Sequence, residues 1–256
     1  MSDRVVAALF VVGIWWLSTA VVLKTVWLGR KWTRASVVVA SAFAVSAVFG
    51  LAWSQHLPSS VGAYVAFGCA IAIWGWHELT FLLGLITGPR KLPCPPAVVG
   101  WRRFVVATSV VIHHEIALAA TLLVMAALAW GKPNQVGVET FAVLWIMRLS
   151  AKLNVFLGVR NISEQFVPEH LRYMITYFRR ARLNPLMPLS LIGAAVGMVL
   201  LFVVSRDVEA SSFAAVEHVL VGTLLALAFI EHVFLAVKLP DASLWSWTIR
   251  KQVRPS

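Results

Sequence analysis

The sequence has few charged residues and few cysteines, and each shortage excludes a class of protein. Only 13% of its 256 residues are charged, 60% are hydrophobic, and the mean hydropathy is +0.82. These values exclude an ordinary soluble domain, in which about a quarter of the residues are charged. Two cysteines, Cys69 and Cys94, exclude a disulfide framework. No phosphate-binding loop, serine-nucleophile elbow or dinucleotide fingerprint occurs where it could work.

Long apolar runs dominate the sequence instead. About 20 apolar residues in a helix cross the roughly 30 Å of bilayer hydrocarbon. The runs of sufficient length cover residues 5–28, 35–53, 61–86, 104–130, 136–158, 187–205 and 213–238. We therefore predict an all-α polytopic integral membrane protein with about seven transmembrane helices and one membrane domain over residues 1–256. The first run lacks a small-residue cleavage site and is longer than a signal-peptide core, so we expect it to be retained.

The net charge of +11 is distributed unevenly between the two sides of the predicted membrane. Sixteen Lys and Arg residues fall on one side, whereas only Arg4, Lys132 and Arg206 fall on the other. The positive-inside rule then predicts a periplasmic N-terminus and a cytoplasmic C-terminus. Because the basic groups line a membrane face, we expect membrane lipid as a partner and no nucleic acid. The basic residues after the last apolar run are Lys238, Arg250, Lys251 and Arg254.

One connection on the basic side has a helical pattern of its own. In the segment 159–186, the residues Leu171, Met174, Ile175 and Phe178 follow the i, i+3, i+4, i+7 spacing of an amphipathic α-helix. Arginines fall off this apolar stripe, and two tyrosines flank it. We therefore predict a short helix that lies in the cytoplasmic membrane interface.

Ionisable residues inside the apolar runs are the main functional signal. Each costs about 2.5–3.5 kcal/mol on insertion scales, so several at one depth predict a built site. Residue counts from the predicted helix ends place them at about 6–15 Å from the cytoplasmic side. We expect His and Glu residues of three helices to converge in one pocket there, with part of the polar set of a fourth helix as support. The His and Glu candidates are His77, Glu78, His113, His114, Glu115, Glu231 and His232, and the supporting residues are Arg148, Lys152 and Asn154.

Three interpretations of this constellation remain open at the level of sequence. Imidazole and carboxylate ligands together suit iron or another divalent metal, and the seven His and Glu residues provide such a set. The spacings of the known helical metal motifs are nevertheless missing, and adjacent helical residues diverge by about 100°. A tetrapyrrole is the second candidate, because His77, His114 or His232 could ligate its metal. The third interpretation is a purely structural network, in which the carboxylates are balanced by Arg148 and Lys152.

Several strings of the sequence together resemble a known family. They occur in this order: residues 76–84 (Trp-His-Glu-Leu-Thr-Phe-Leu-Leu-Gly), Gly88-Pro-Arg90, Arg103-Phe104, His114-Glu115, residues 144–158, Asn161, residues 168–171, Tyr177-Phe178 and Glu231-His232. In combination they resemble the PuhE-type photosynthetic complex assembly proteins of purple phototrophic bacteria. The likeness covers most of the chain, from about residue 5 to residue 245.

The resemblance implies a multi-pass protein of the bacterial inner (cytoplasmic or intracytoplasmic) membrane. It implies assembly of, or pigment supply to, the reaction-centre and light-harvesting complex, with reaction-centre or antenna subunits and bacteriochlorophyll as partners. It implies no defined reaction, so whether the protein is an enzyme stays open. The residues leave two alternatives beside it: a membrane-embedded di-metal oxidoreductase acting on a tetrapyrrole, isoprenoid or quinone, and a proton-coupled transporter.

Overall fold

The computed structural model of the chain describes residues 3–162, 164–182, 184–209 and 212–237. These residues form helices and connections, with no strand among them, and seven helices are long and apolar enough to cross a membrane. The prediction of an all-α polytopic membrane protein is therefore confirmed. Lys238, Arg250, Lys251 and Arg254 lie outside the described residues, as does the last residue of the predicted run 213–238. The helices are α1 (Asp3–Val26), α2 (Thr33–Ser54), α3 (Ser60–Leu82), α4 (Gly100–Ala129), α5 (Val136–Leu157), α6 (Leu186–Arg206) and α7 (Phe213–Ala236).

Two of the helices begin at serine caps that the sequence provides. The Ser59 hydroxyl accepts a hydrogen bond from the Gly62 N–H at 3.1 Å, and the Ser212 hydroxyl accepts one from the Ala215 N–H at 3.2 Å. Each bond satisfies a backbone donor that has no partner within its own helix. The caps therefore fix where α3 and α7 start after their polar connections.

Helices α3 and α7 contribute most to the interior of the bundle. Helix α3 packs against α1, α2, α5 and α7, and α7 also packs against α1, α5 and α6. The largest enclosed side chains of this core include Phe67, Phe141, Leu118 and Leu220. Helix α4 lies at the edge, with α5 as its main helical neighbour. Polar side chains on α3, α5 and α7 consequently have neighbours on several sides.

Helix α3 ends earlier than the apolar run predicts. The run continues to residue 86, but the helix stops at Leu82, and Gly84 adopts a φ of +75°. The chain then turns and lies against α4, where the His114 N–H donates to the Thr87 carbonyl at 3.0 Å and the Arg90 N–H donates to the Ser109 carbonyl at 3.2 Å. The backbone of this segment is thus bonded to protein, which irregular backbone at membrane depth requires. Thr87 and Gly88 are buried there, whereas Leu85 is exposed.

The predicted amphipathic α-helix of the 159–186 connection is wrong in type. Residues Glu169–Tyr177 form a 3₁₀-helix, and its buried side chains are Leu171, Met174 and Tyr177. A 3₁₀-helix has three residues per turn, so positions three apart share one face. The predicted 3.6-residue stripe placed Ile175 and Phe178 on that face, but both are only partly buried.

The segment 83–94 and the 3₁₀-helix together form a compact plug at the end of the bundle that the charge split predicts to be cytoplasmic. The Tyr177 hydroxyl donates to the Leu92 carbonyl at 3.0 Å and accepts from Arg90 at 2.8 Å. Arg103 on α4 donates to the Tyr177 carbonyl at 2.7 Å, and a His170 ring nitrogen lies 2.9 Å from the Leu82 carbonyl. These bonds hold the plug over the ends of α3, α4 and α5.

Candidate functional site

Helix α5 carries two cations that each pair with a carboxylate of another helix. Arg148 and Lys152 are four residues apart and therefore share one face of α5. The Arg148 guanidinium lies 3.2 Å from the Glu78 carboxylate on α3, and the Lys152 ammonium lies 2.5 Å from the Glu115 carboxylate on α4. The Trp145 indole N–H also donates to Glu115, at 3.2 Å. Two ion pairs thus connect α5 to α3 and to α4.

His114 lies inside this arrangement and is completely buried. Its Nε2 atom is 3.8 Å from the Glu78 carboxylate, which is too long for a direct hydrogen bond. The ring packs on Phe81, with 4.5 Å between the ring centroids. Neither ring nitrogen of His114 has a hydrogen-bond partner among the described residues. The imidazole is held by its packing, and by the Thr87 bond to its backbone, rather than by its polar atoms.

His77 lies next to His114 but makes a separate contact. A ring nitrogen of His77 is 2.9 Å from the Thr121 hydroxyl on α4, and the centroids of the two imidazoles are 6.4 Å apart. Its other nitrogen and one Glu78 oxygen have no hydrogen-bond partner in the described part of the chain. Buried polar atoms are normally bonded to protein or to water, so this region is suited to one or two internal water molecules.

The structure does not bring His232 into the predicted single pocket. His232 and Asn154 belong to a second, uncharged network, and Asn154 is thus the part of the α5 polar set that faces away from the cluster. His232 lies beside the Ala228 carbonyl at 2.8 Å and the Ser150 hydroxyl at 3.0 Å. The carbonyl can only accept, so the facing ring nitrogen carries the hydrogen. The other ring nitrogen therefore accepts from the Ser150 hydroxyl in the neutral imidazole. The Asn154 amide donates to the Ser190 hydroxyl at 3.0 Å, and the Ser150 and Ser190 oxygens lie 2.8 Å apart. This network connects α5, α6 and α7.

Helical rotation explains why the two networks are separate. On α5, Asn154 is about 200° from Lys152, and on α7, His232 is about 100° from Glu231. The opposite faces of α5 therefore serve different neighbours: the cations face α3 and α4, and Ser150 with Asn154 faces α6 and α7. Asn184 extends the second network, because its side-chain amide donates to the Asn154 carbonyl at 3.4 Å and to the Gly158 carbonyl at 2.8 Å.

Two of the candidate residues lie on the surface of the bundle. His113 is exposed on α4, on the side away from Glu115, and so does not join either network. Glu231 is exposed on α7, where it interacts electrostatically with Arg148. No described residue forms a hydrogen bond or an ion pair with the Glu231 carboxylate. These two residues were predicted as ligands of the same pocket, and the structure does not bring them into it.

The cluster also lies closer to the helix ends than the sequence predicts for α3. Because α3 ends at Leu82, His77 is five residues from its end, which corresponds to about 7.5 Å instead of about 13 Å. Helix α4 starts at Gly100, earlier than the predicted run, so that His114 lies fourteen residues inside it. The plug lies over these unequal helix ends.

The arrangement can join helices, but it forms no metal centre as it stands. Among the described residues, no three His, Cys, Asp or Glu side chains are placed so that they could hold one ion. The imidazoles of His77, His114 and His232 are at most 4% exposed, so none presents an open face to a tetrapyrrole. A metal or a tetrapyrrole would require these side chains to move apart. Iron or another divalent metal, and a tetrapyrrole, therefore stay predictions, and no step of our proposal depends on them.

Several residues of the networks were missed at the level of sequence. Ser150 and Ser190 are short polar residues inside apolar runs, where a hydroxyl usually bonds its own helix. Nothing in the sequence except their positions indicated that Thr121 and Trp145 belong to a polar network. Asn184 did have a sequence signal, because an Asn shortly before a helix is a typical N-terminal cap. Its side-chain oxygen accepts from the Leu186 and Met187 N–H groups at 3.0 and 3.1 Å.

Comparisons with known proteins give the chain a family. A family model described as "Protein of unknown function (DUF3623)" matches residues 1–256. A Rhodobacter capsulatus protein, named "Uncharacterized 30.4 kDa protein in puhA 5'region", is 36% identical over 258 residues, covering 97% of this chain and 92% of its own length. No solved structure matches. The chain therefore belongs to the DUF3623 family, and its likeness to a protein from the puhA 5′ region agrees with the PuhE-type resemblance of its motifs.

Proposed function

We propose that this protein is an assembly factor for the photosynthetic reaction-centre and light-harvesting complex, and that it acts through contacts with other membrane proteins. The name of the R. capsulatus relative, which refers to the puhA 5′ region, is the observation that carries the photosynthetic context. The order of the sequence motifs supports the same context through their resemblance to PuhE-type proteins. Reaction-centre or antenna subunits are the partners that this proposal names.

The geometry of the charged cluster supports a structural scaffold more than a catalytic site. Both carboxylates of the cluster interior, Glu78 and Glu115, are paired with cations, and the formal charges of the two pairs cancel. The imidazole between them is enclosed by aromatic packing. Such a cluster fixes the positions of α3, α4 and α5, and its unpartnered imidazole nitrogens are enclosed rather than open to a substrate. A rigid framework of this kind suits a protein that positions other subunits.

The proposed orientation has a periplasmic N-terminus and the plug on the cytoplasmic side of the inner membrane. The plug and its neighbours then carry the basic residues that face anionic lipid headgroups. Arg90 and Arg103 have a further role there, since both bond the plug itself.

The proposed function is tested by deleting the gene in a phototrophic host and recording near-infrared absorption of its membranes. We expect the bands of the assembled complex to decrease, and a plasmid copy of the gene to restore them. Pigment supply is distinguished from assembly by total bacteriochlorophyll after solvent extraction. Assembly predicts that free pigment persists when the complex is lost, whereas pigment supply predicts that pigment and complex decline together. Unchanged complex bands in the deletion strain would refute both forms of the proposal.

A further inference from the structure

A polar patch interrupts the apolar outer surface of the bundle where α5 and α7 meet. It consists of Arg148 and Glu231, which we call the α5–α7 patch. The Arg148 side chain is 43% exposed although it is paired with Glu78, and Glu231 is exposed as well. The neighbouring Ile230 is also exposed, at 44%, as expected of a surface that contacts lipid. Exposed charged groups at such a position are costly in hydrocarbon, so their presence calls for an occupant that compensates them.

The charge of the patch specifies the sign of that occupant. Glu78 is paired directly with Arg148, and Glu115 is paired directly with Lys152. Glu231 is the third carboxylate in electrostatic reach of Arg148, yet no described residue pairs with it. Three carboxylates against two cations leave one formal negative charge, located on the exposed Glu231. A complementary partner therefore supplies a cation or a strong hydrogen-bond donor.

The position of Glu231 along α7 specifies where the cation of the partner lies. Glu231 is five residues before the end of the helix at Ala236, or about 7.5 Å along the axis. In the proposed orientation this is the cytoplasmic end, where transmembrane helices of inner-membrane proteins carry their Lys and Arg residues. A partner helix that packs along α5 and α7 would thus bring its basic flank to the level of Glu231.

From these observations we infer that the α5–α7 patch binds a transmembrane helix of a partner protein that carries Lys or Arg near its cytoplasmic end. The inference rests on the proposed function, since it gives the chemistry of the subunit that the assembly factor holds. An acidic lipid headgroup is disfavoured, because the patch and the charged cluster beneath it together carry one excess negative charge, which lies on Glu231. A second occupant, the amine of a zwitterionic lipid, shares the required charge and is distinguished by the experiment.

The test uses the purified protein in phosphatidylcholine vesicles with labelled single-span peptides. One peptide carries Lys one turn inside one end, and otherwise identical peptides carry Leu or Glu at that position. We expect energy transfer to show a preference for the Lys peptide of about threefold to tenfold, the range of polar contacts between membrane helices. Glu231→Gln should remove the preference, and Glu231→Asp should keep most of it.

A matched control is available at the other end of the bundle. Glu139 is also exposed and helical, so Glu139→Gln makes the same change of charge away from the patch. It should leave the Lys preference unchanged. Equal binding of the Lys and Leu peptides to the wild-type protein would overturn the inference, and so would an unchanged preference in Glu231→Gln. Loss of the preference when phosphatidylethanolamine replaces phosphatidylcholine would assign the patch to the lipid amine instead.

The failure of this inference can be separated from the failure of the proposed function. If the deletion strain loses the complex while the peptides bind without a charge preference, only the inference about the patch fails. If the Lys preference is present while the deletion strain assembles a normal complex, the patch binds basic helices, but the partner is not a photosynthetic subunit.

Discussion

The ion pair between Glu115 and Lys152 offers the sharpest test of how the helices are held together. We predict that Lys152→Met destabilises the protein by about 2 kcal/mol, below the roughly 3–5 kcal/mol for breaking a fully buried pair. The expected cost is smaller because the two side chains are partly exposed, 23% for Lys152 and 14% for Glu115. Trp145 also lowers the cost, because its indole N–H still bonds the remaining carboxylate.

The prediction extends to a double-mutant cycle. Glu115→Gln leaves the ammonium without its counter-charge and should cost a similar amount, about 2 kcal/mol. In the double variant neither charge remains unpaired, so the loss should be smaller than the sum of the single losses by about 1–2 kcal/mol. The measurement is the free energy of unfolding in lipid bicelles for the wild type and the three variants.

A surface pair provides the control for this cycle. Arg172 and Glu169 are paired at 3.3 Å on the 3₁₀-helix, but their side chains are 56% and 74% exposed. Arg172→Met should therefore change the free energy of unfolding by less than about 0.5 kcal/mol. Additive effects of Lys152→Met and Glu115→Gln, within about 0.3 kcal/mol, would refute the reasoning that this pair connects α4 to α5.

Three further predictions concern the plug, the second network and the topology. Gly88→Ala places a Cβ atom in steric conflict with the Ser109 carbonyl oxygen and should cost about 1–3 kcal/mol, measured as a lower thermal midpoint. Gly13→Ala meets no atom within 4 Å and should have no such steric cost. Asn184→Ala removes the cap of α6 and the bond to Gly158, so it should lower the free energy of unfolding by about 1–2 kcal/mol. Asn184→Asp keeps only the acceptor oxygen, so it should lower the free energy of unfolding by an intermediate amount. Reporter fusions test the orientation: a C-terminal phosphatase fusion should be inactive and a fluorescent fusion should be bright, and the opposite pattern would reverse the assignment of the two faces.

The fold could be predicted because its signals are local. Each membrane helix is specified by an apolar run, and each of the seven runs overlaps one of the seven long apolar helices in the described part of the structure. The end of α3 could not be predicted, because the residues after Leu82 are as apolar as those before it. The backbone a few residues later bonds to α4 instead of continuing the helix. The 3₁₀-helix was mistaken for an α-helix because Leu171 and Met174 fit both the 3.0-residue and the 3.6-residue period. The burial of Tyr177 distinguishes the 3₁₀ period from the α-helical one.

The candidate site could be predicted in part, for a related reason. Depth along a helix follows from counting residues, and that count placed Glu78, His114 and Arg148 at a similar level. In the structure these three residues lie in one cluster. The direction in which each residue faces depends on how the helices are packed around α5. For that reason the sequence did not separate His232 from Glu231, and it did not show that His113 lies on the surface.

The central claim is that the charged cluster holds helices in place and does not bind a cofactor. The most direct measurement is near-infrared absorption of membranes from the deletion strain that carries His114→Ala or Glu115→Ala, with expression adjusted to the wild-type abundance of the protein. Our account predicts that both variants reduce the amount of protein, and that the complex bands return to wild-type height once abundance is matched. Complex bands that stay low at matched abundance, with the variant inserted in the membrane, would contradict the account and favour a ligand at His114 or Glu115.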